Sequence, residues 1–377
     1  MVVSTFIIDQ KPFLSLLSSL QAICTKRTTL DVTSYILFQI NYREIIFKAT
    51  DLETSLQVSY HIERDKMEAD PCSFLVNGKR LFDLVKELEG SITCKVVDNQ
   101  LHLTTDLINL SLNIRSCEDF PPFPEKIENL THIEASFLLE LINKVAFLIP
   151  QNNITPALNG LLVEISEKNL KMTSTDGHCL VQVMTEKYTL SEAKKWLLPR
   201  RAVFEIKKIL ETVEDTTIFI GTCGNQLVFS GSSFNFFTRL LQDRFPEYDA
   251  ILTRKGFIPA RIDRQHLVKT LRRSACLLSG QFLATTFTFS EKTLGISLIN
   301  KDIGQLAEKV PLEDFNAPTC TMKFYSPYLL GGLQVFGDKS ISFSFSSNAR
   351  PIIFESDTPE KQYKMLYLVM PVATSSN

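Results

Sequence analysis

Val76-Asn77-Gly78-Lys79-Arg80-Leu81-Phe82-Asp83-Leu84 lies over Leu198-Pro199-Arg200-Arg201-Ala202-Val203-Phe204-Glu205-Ile206 with apolar residues facing apolar residues and acid facing acid. At about twice that spacing, Phe324-Tyr325-Ser326-Pro327-Tyr328-Leu329-Leu330 keeps the apolar positions, and Gly331 and Gly332 replace the acidic side. An independent overlay sets Phe47-Lys48-Ala49-Thr50-Asp51 on Met172-Thr173-Ser174-Thr175-Asp176, with Ser297-Leu298-Ile299-Asn300 as the third member. Two landmarks recurring in the same order at the same distance mark a triplicated unit of about 125 residues, large enough to bury a core of its own. The copies are expected at 1–125, 126–253 and 254–377.

Within each copy the pattern is mixed. Helical spacing recurs in Phe13, Leu16, Leu17, Leu20 and Ile23, in Phe137, Leu138, Leu141, Ile142 and Val145, and in Leu267, Leu271, Ala275 and Leu278. Helices are expected over 10–27, 77–90, 134–148, 199–214, 261–280 and 325–336. Strands are expected at Tyr35–Ile40, Leu101–Leu103, Thr217–Ile220 and Ile341–Phe345, where residues alternate or β-branched and aromatic types gather. The fold class is therefore α+β, with two helices covering an antiparallel sheet in each copy. Asp119-Phe120-Pro121-Pro122-Phe123-Pro124 and Arg244-Phe245-Pro246-Glu247-Tyr248 connect the copies, and proline stiffens both joints.

An apolar share of 44% with 22% charged residues describes an ordinary globular protein and excludes a disordered one. Met1 to Ile8 is apolar but ends at Asp9 and Lys11, too soon for a signal-peptide core. Eight cysteines without a C-x-x-C pair argue against a zinc site and a disulfide framework, so a cytosolic protein with buried free thiols is expected. The net charge of −2 conceals an asymmetry: the six expected helices hold 16 Lys and Arg against 9 Asp and Glu. Positive charge shared by repeated helices points to a polyanion.

Leu158-Asn159-Gly160, Thr175-Asp176-Gly177-His178-Cys179-Leu180, Arg244-Phe245-Pro246-Glu247-Tyr248 and Tyr367-Leu368-Val369-Met370-Pro371, in this order on a three-copy chain, resemble the bacterial β sliding clamp family, the processivity subunits of replicative DNA polymerases. The resemblance spans Met1 to Val372. It implies a non-enzymatic, cytoplasmic DNA-clamp fold that closes as a head-to-tail homodimeric ring around duplex DNA, strands outside and twelve helices inside. Twelve axes about 10 Å apart give a diameter of roughly 38 Å, and subtracting one helix leaves roughly 28 Å, enough for duplex DNA of roughly 20 Å and a layer of water. Retention would be topological, with screened, sequence-independent attraction to phosphates. By position, DNA-facing charge falls on Arg27, Lys79, Arg80, Lys86, Arg200 and Arg201, with Arg272 and Arg273 as companions.

The resemblance also implies an apolar pocket for short peptides of the replicative polymerase, the clamp loader, other polymerases and repair proteins. Its lining would be Leu158, Thr175, Gly177, His178, Cys179, Leu180, Pro246, Phe282, Tyr325, Tyr328, Ala349, Pro351, Leu368, Val369, Met370 and Pro371. Aliphatic and Met side chains suit varied peptides anchored by a Leu and a Phe. Cys179 stands where the family has Arg, Tyr325 where it has Asn, and Ala373-Thr374-Ser375-Ser376-Asn377 replaces a short basic-apolar ending, so a more apolar rim is expected. Leu110, Leu277 and Leu278 match the family's dimer contacts.

Two other readings compete. Asp176 and His178 could belong to a metal-dependent hydrolase, but a catalytic metal needs three protein ligands and the five histidines are dispersed. No G-x-x-x-x-G-K loop supports nucleotide hydrolysis. An adhesion or scaffold protein without nucleic acid is the second, and the cationic bias of the helices speaks against it.

Overall fold

The computed structural model describes residues 4–24, 28–63, 67–68, 70–124, 126–278, 283–346, 350–356 and 362–372. Its six α-helices are α1 (Gln10–Cys24), α2 (Gly78–Lys86), α3 (Ala135–Val145), α4 (Arg200–Thr212), α5 (Arg264–Ala275) and α6 (Ser326–Leu333). The chain forms two compact units, one of residues 1–139 and 201–240, the other of residues 140–200 and 241–377.

Local chemistry sets the helix ends. Asn77 caps α2 by accepting from Arg80 N at 3.0 Å, and Asp263 caps α5 by accepting from His266 N at 2.7 Å. Gly78 lets α2 approach α1, since a Cβ there would lie 3.0 Å from Cys24 Sγ and 3.2 Å from Ile36. Several helices are shorter than the pattern predicts. The chain before α5 is a strand, Ile258–Asp263, fully paired with Ser340–Phe345, so tertiary pairing overrides helical periodicity there. Glu87 N and Leu88 N bond to Leu84 O and Val85 O, tightening the end of α2 before Gly90 turns the chain at φ +74°. All four expected strands are present, at Tyr35–Ile40, Gln100–Thr104, Thr217–Cys223 and Ser340–Phe345.

In the first unit, one sheet of five strands ends at the edge strand Asn109–Asn113. A second sheet has eight strands, joined at its centre where Phe234–Arg239 pairs antiparallel with Thr54–His61. The twelve-stranded sheet of the second unit is joined in the same way, where Lys364–Val369 pairs with Cys179–Thr185. Each seam couples a strand that leaves one copy's hairpin to the last hairpin strand of the next copy.

Aromatic packing fills both units. Phe38 meets Phe47 edge-on at 4.7 Å and stacks on Phe74 at 5.1 Å, and Phe289 lies 4.1 Å from Phe345. The Phe-Pro connectors are packed straps. Phe123 stands edge-on to Phe237 at 5.7 Å with Lys48 Nζ above its ring, and Phe245 and Tyr248 are buried in an apolar cluster.

All eight cysteines are free, but the expectation that they are buried holds for Cys24, Cys94 and Cys179 alone; Cys276, beyond the end of α5, is exposed. Burial pushes the Cys24 thiol up to about 12 and raises Cys94 and Cys179 still further. A thiol held this high stays protonated and unreactive near neutrality. Brief alkylation of the native chain at about pH 8, followed by peptide mass spectrometry, is expected to modify Cys276 first and to leave Cys24, Cys94 and Cys179 unmodified until the chain is denatured.

Candidate functional site

The site begins with the turn after Leu170–Thr175. Asp176 Oδ1 accepts from His178 N at 2.8 Å and Cys179 N at 2.7 Å, and Gly177 supplies the left-handed conformation at φ +94°. Thr175 Oγ1 donates to Cys179 O at 2.5 Å and accepts from Gly177 N at 3.1 Å. A Cβ on Gly177 would lie 3.8 Å from Leu158 Cδ1, so Leu158 borders the turn. The exposed His178 ring stacks on Tyr328 at 5.5 Å, and Tyr325 meets Tyr328 edge-on at 5.0 Å. Met370 N donates to His178 O at 2.9 Å, which ties the chain end to the turn.

Below this turn, Leu180 and Leu368 are directly opposed and buried with Ala157, Leu162, Leu197, Phe245, Tyr248 and Ile353; Met370, Leu252 and Phe257 are partly buried against them. Pro246 is exposed between Phe245 and Tyr248, Pro351 is buried, and Pro371 is half-buried beyond Met370. These residues form an apolar floor with a half-exposed rim of His178, Tyr325, Tyr328, Met370 and Pro371.

Two expected lining residues lie elsewhere. Strand alternation turns Cys179 and Val369 to the opposite face from Leu180 and Leu368, and both are buried, at 1% and 0% exposure. That face packs on α6, where Tyr367 Oη donates to Tyr328 O at 2.6 Å and a Cβ on Gly332 would fall 2.0 Å from the Tyr367 ring. Cys179 therefore does not contribute to the rim, and the expected change of rim character cannot come from it. Phe282, Ala349, Arg27 and the tail 373–377 lie outside the described residues. Sequence reading missed Tyr248, Leu252, Phe257 and Ile353. Tyr248 could have been found by setting the second connector over the first, where Phe123 holds the same place; Phe257 carries no such signal.

Asp176 is thus a turn acceptor and His178 a stacking ring. Among the described residues no group of three or more His, Cys, Asp and Glu is arranged to hold a metal ion, and the hydrolase reading finds no support.

The expected DNA-facing cations divide by their partners. Lys79, Arg80 and Lys86 are exposed on α2 with no ion pair among the described residues. Arg200 Nε donates to Ile149 O at 3.0 Å. Arg201 bonds the buried carboxylate of Asp51 and, at 2.9 Å, Ala22 O. Arg272 is exposed on α5, whereas Arg273 binds Glu308 and, by that hydrogen bond first, holds its carboxyl below the ordinary value. Leu110 is half-buried on the edge strand, and Leu277 and Leu278 are half-buried just after α5.

Three copies of an α+β unit, joined strand to strand, with an apolar cluster beside the second seam, define a clamp-type architecture. Comparison with known proteins gives its particular kind. Models of the DNA polymerase III β subunit match in three pieces, the N-terminal domain over residues 4–124, the central domain over 132–247 and the C-terminal domain over 251–373. The chain belongs to the bacterial β sliding clamp family. It is 27% identical over 372 residues to the β sliding clamp of Pseudomonas aeruginosa, covering 97% of this chain and 99% of that one. It is 22% identical over 378 residues to that of Staphylococcus aureus, covering 98% and 99%. A crystal structure of the Pseudomonas aeruginosa clamp bound to griselimycin superposes with a TM-score of 0.89 at 25% identity, over 98% of this chain and 100% of that one. The Bacillus subtilis clamp shares the fold, with a TM-score of 0.89 at 19% identity over 99% and 100%.

The Tyr248 hydroxyl is the polar anchor of the floor. It accepts from Gln182 Nε2 at 3.1 Å and donates to Glu164 Oε2 at 2.8 Å, and burial pushes its pKa above the ordinary tyrosine value. Tyr248→Phe removes both of these bonds and the one that Thr173 Oγ1 donates at 3.4 Å, and is expected to cost about 1–3 kcal/mol, measured as a lower urea midpoint with an unchanged slope.

Proposed function

We propose that the chain works as a sliding clamp: two copies close head to tail around duplex DNA and tether the replicative polymerase and other replication and repair proteins through the apolar site. The domains are then the three copies, 1–125, 126–253 and 254–377, and the protein acts in the cytoplasm without chemistry of its own. Among the described residues no helix is long and apolar enough to cross a membrane.

The observation that carries the reading is the repeated seam. The strand that leaves the first copy's hairpin pairs with Phe234–Arg239, and the equivalent strand of the second copy pairs with Lys364–Val369. Among the described residues their counterparts remain open. Gly304–Glu313 follows the third copy's hairpin and pairs on its second side only at Leu312 and Glu313, and Asn109–Asn113 is the last hairpin strand of the first copy. An open edge of this kind recruits another strand. Leu107, Ile108, Ile299 and Ile303, exposed at 96%, 39%, 69% and 50%, lie on or beside these two edges. Phe236 faces Leu56 and Tyr367 faces Val181 in the observed seams. In the same register Leu110 of one chain would face Leu306 of the second. Leu277 and Leu278 would join this contact.

On this reading Lys79, Arg80, Lys86 and Arg272 supply diffuse positive charge for phosphates, which favours sliding because no base edge is gripped. The clamp loader, an ATP-driven protein separate from this chain, would open the ring.

The peptide site is tested at Met370, half-exposed and bonded to the turn through its backbone N–H. Met370→Asp is expected to weaken a fluorescent peptide carrying Leu and Phe anchors by about 30-fold, a hot-spot loss of about 2 kcal/mol, and to abolish stimulation of the polymerase while the mass in solution stays unchanged. Loss of the dimer in this variant would count against the site.

A further inference from the structure

We propose that Arg201 is a positioning residue that latches the first seam, and that its guanidinium serves this joint rather than DNA phosphates. The Asp51 side chain is fully buried. Its Oδ1 accepts from Glu53 N at 3.0 Å and Thr54 N at 2.7 Å, and its Oδ2 accepts from Arg201 Nη1. Arg201 Nη2 donates to Ala22 O at 2.9 Å, in the last turn of α1. One planar fork thereby joins the first copy's turn, the end of its first helix and the start of α4. A lysine could not span both acceptors.

The place of Arg201 makes sense only with Asp51. It stands in the first turn of α4, which holds no acidic residue, where the helix dipole disfavours a cation. Asp51 brings the missing negative charge from another copy. The turn it fixes leads directly into the seam, since Arg239 N donates to Glu53 O at 2.9 Å and Thr54 is paired with Thr238.

The other copies solve the same problem without arginine. In the third, Asn300 Oδ1 accepts from Asp302 N at 3.0 Å and Ile303 N at 3.3 Å, as Asp51 does for its own turn, but Asn300 Nδ2 donates directly to Leu277 O at 2.7 Å, just beyond α5. An amide carries its own donor, whereas a carboxylate must borrow one. In the second copy Ser174 Oγ donates to Val145 O at 2.7 Å, at the end of α3. The overlay of α4 on α6 puts Pro327 at the place of Arg201.

Hydrogen exchange on the full chain tests the latch. Arg201→Ala is expected to speed exchange about tenfold or more at Arg239 and across the paired residues 54–58 and 234–238, with the 179–184 and 364–369 seam unchanged. Adding Asp51→Asn is expected to restore protection, because the new amide carries a donor of its own toward the end of α1, as Asn300 does toward Leu277. Should Arg201→Ala fail to fold, Arg201→Lys gives the same local loosening in weaker form. Unchanged exchange at the first seam, equal acceleration at both seams, or failure of Asp51→Asn to restore protection would each overturn the proposal. So would a salt dependence of duplex-DNA binding whose slope falls by about 0.9, the loss of one phosphate contact, with seam exchange unaltered.

Discussion

A β-strand at the edge of a sheet carries a row of backbone donors and acceptors that need partners, and the architecture of this chain follows from how those edges are matched. Thr54–His61 is matched by Phe234–Arg239 and Cys179–Thr185 by Lys364–Val369, so neighbouring copies are fused into continuous sheets instead of being strung on flexible linkers. This is why the compact units cut through the middle copy: its first sheet is claimed by one seam and its second by the other. Among the described residues one edge of each kind is left largely unmatched, the two that the proposed ring would bring together.

The two seams share a backbone plan and differ in the side chains that finish them. At the first, a buried carboxylate, an arginine fork and the Phe123 strap close the space around the turn. At the second, Gly177 replaces a bulky turn residue, Tyr328 lies under His178 in place of an ion pair, and Leu180 and Leu368 form a buried apolar floor against which Met370 is partly buried. Of the three equivalent turns, the second combines Gly177 with an apolar floor beneath it. The proposed peptide site therefore needs no new backbone, only different side chains around an equivalent turn.

The triplication, the fold class and the four named strands were legible because whole-copy duplication leaves the same apolar pattern at each recurrence. Helix ends were not, since the strand Ile258–Asp263 is imposed by pairing with residues about eighty positions away. The site was legible as a set of residue types but not as a surface: period-two alternation separates Cys179 from Leu180 and Val369 from Leu368, and no motif states which member of each pair faces the floor. Arg201 looked like one more helix cation because its partner, Asp51, is 150 positions away in sequence. Charge counts locate cations; only the fold shows which are already engaged.

A ring requires the two open edges to close on each other. Size-exclusion chromatography with light scattering and small-angle X-ray scattering tests it most directly. The account predicts a mass of twice the 42.8 kDa chain and a pair-distance curve of a hollow disc whose opening is roughly 28 Å, the space left inside twelve packed helices. A compact dimer without a hole, or a chain that stays monomeric at every attainable concentration, would contradict it.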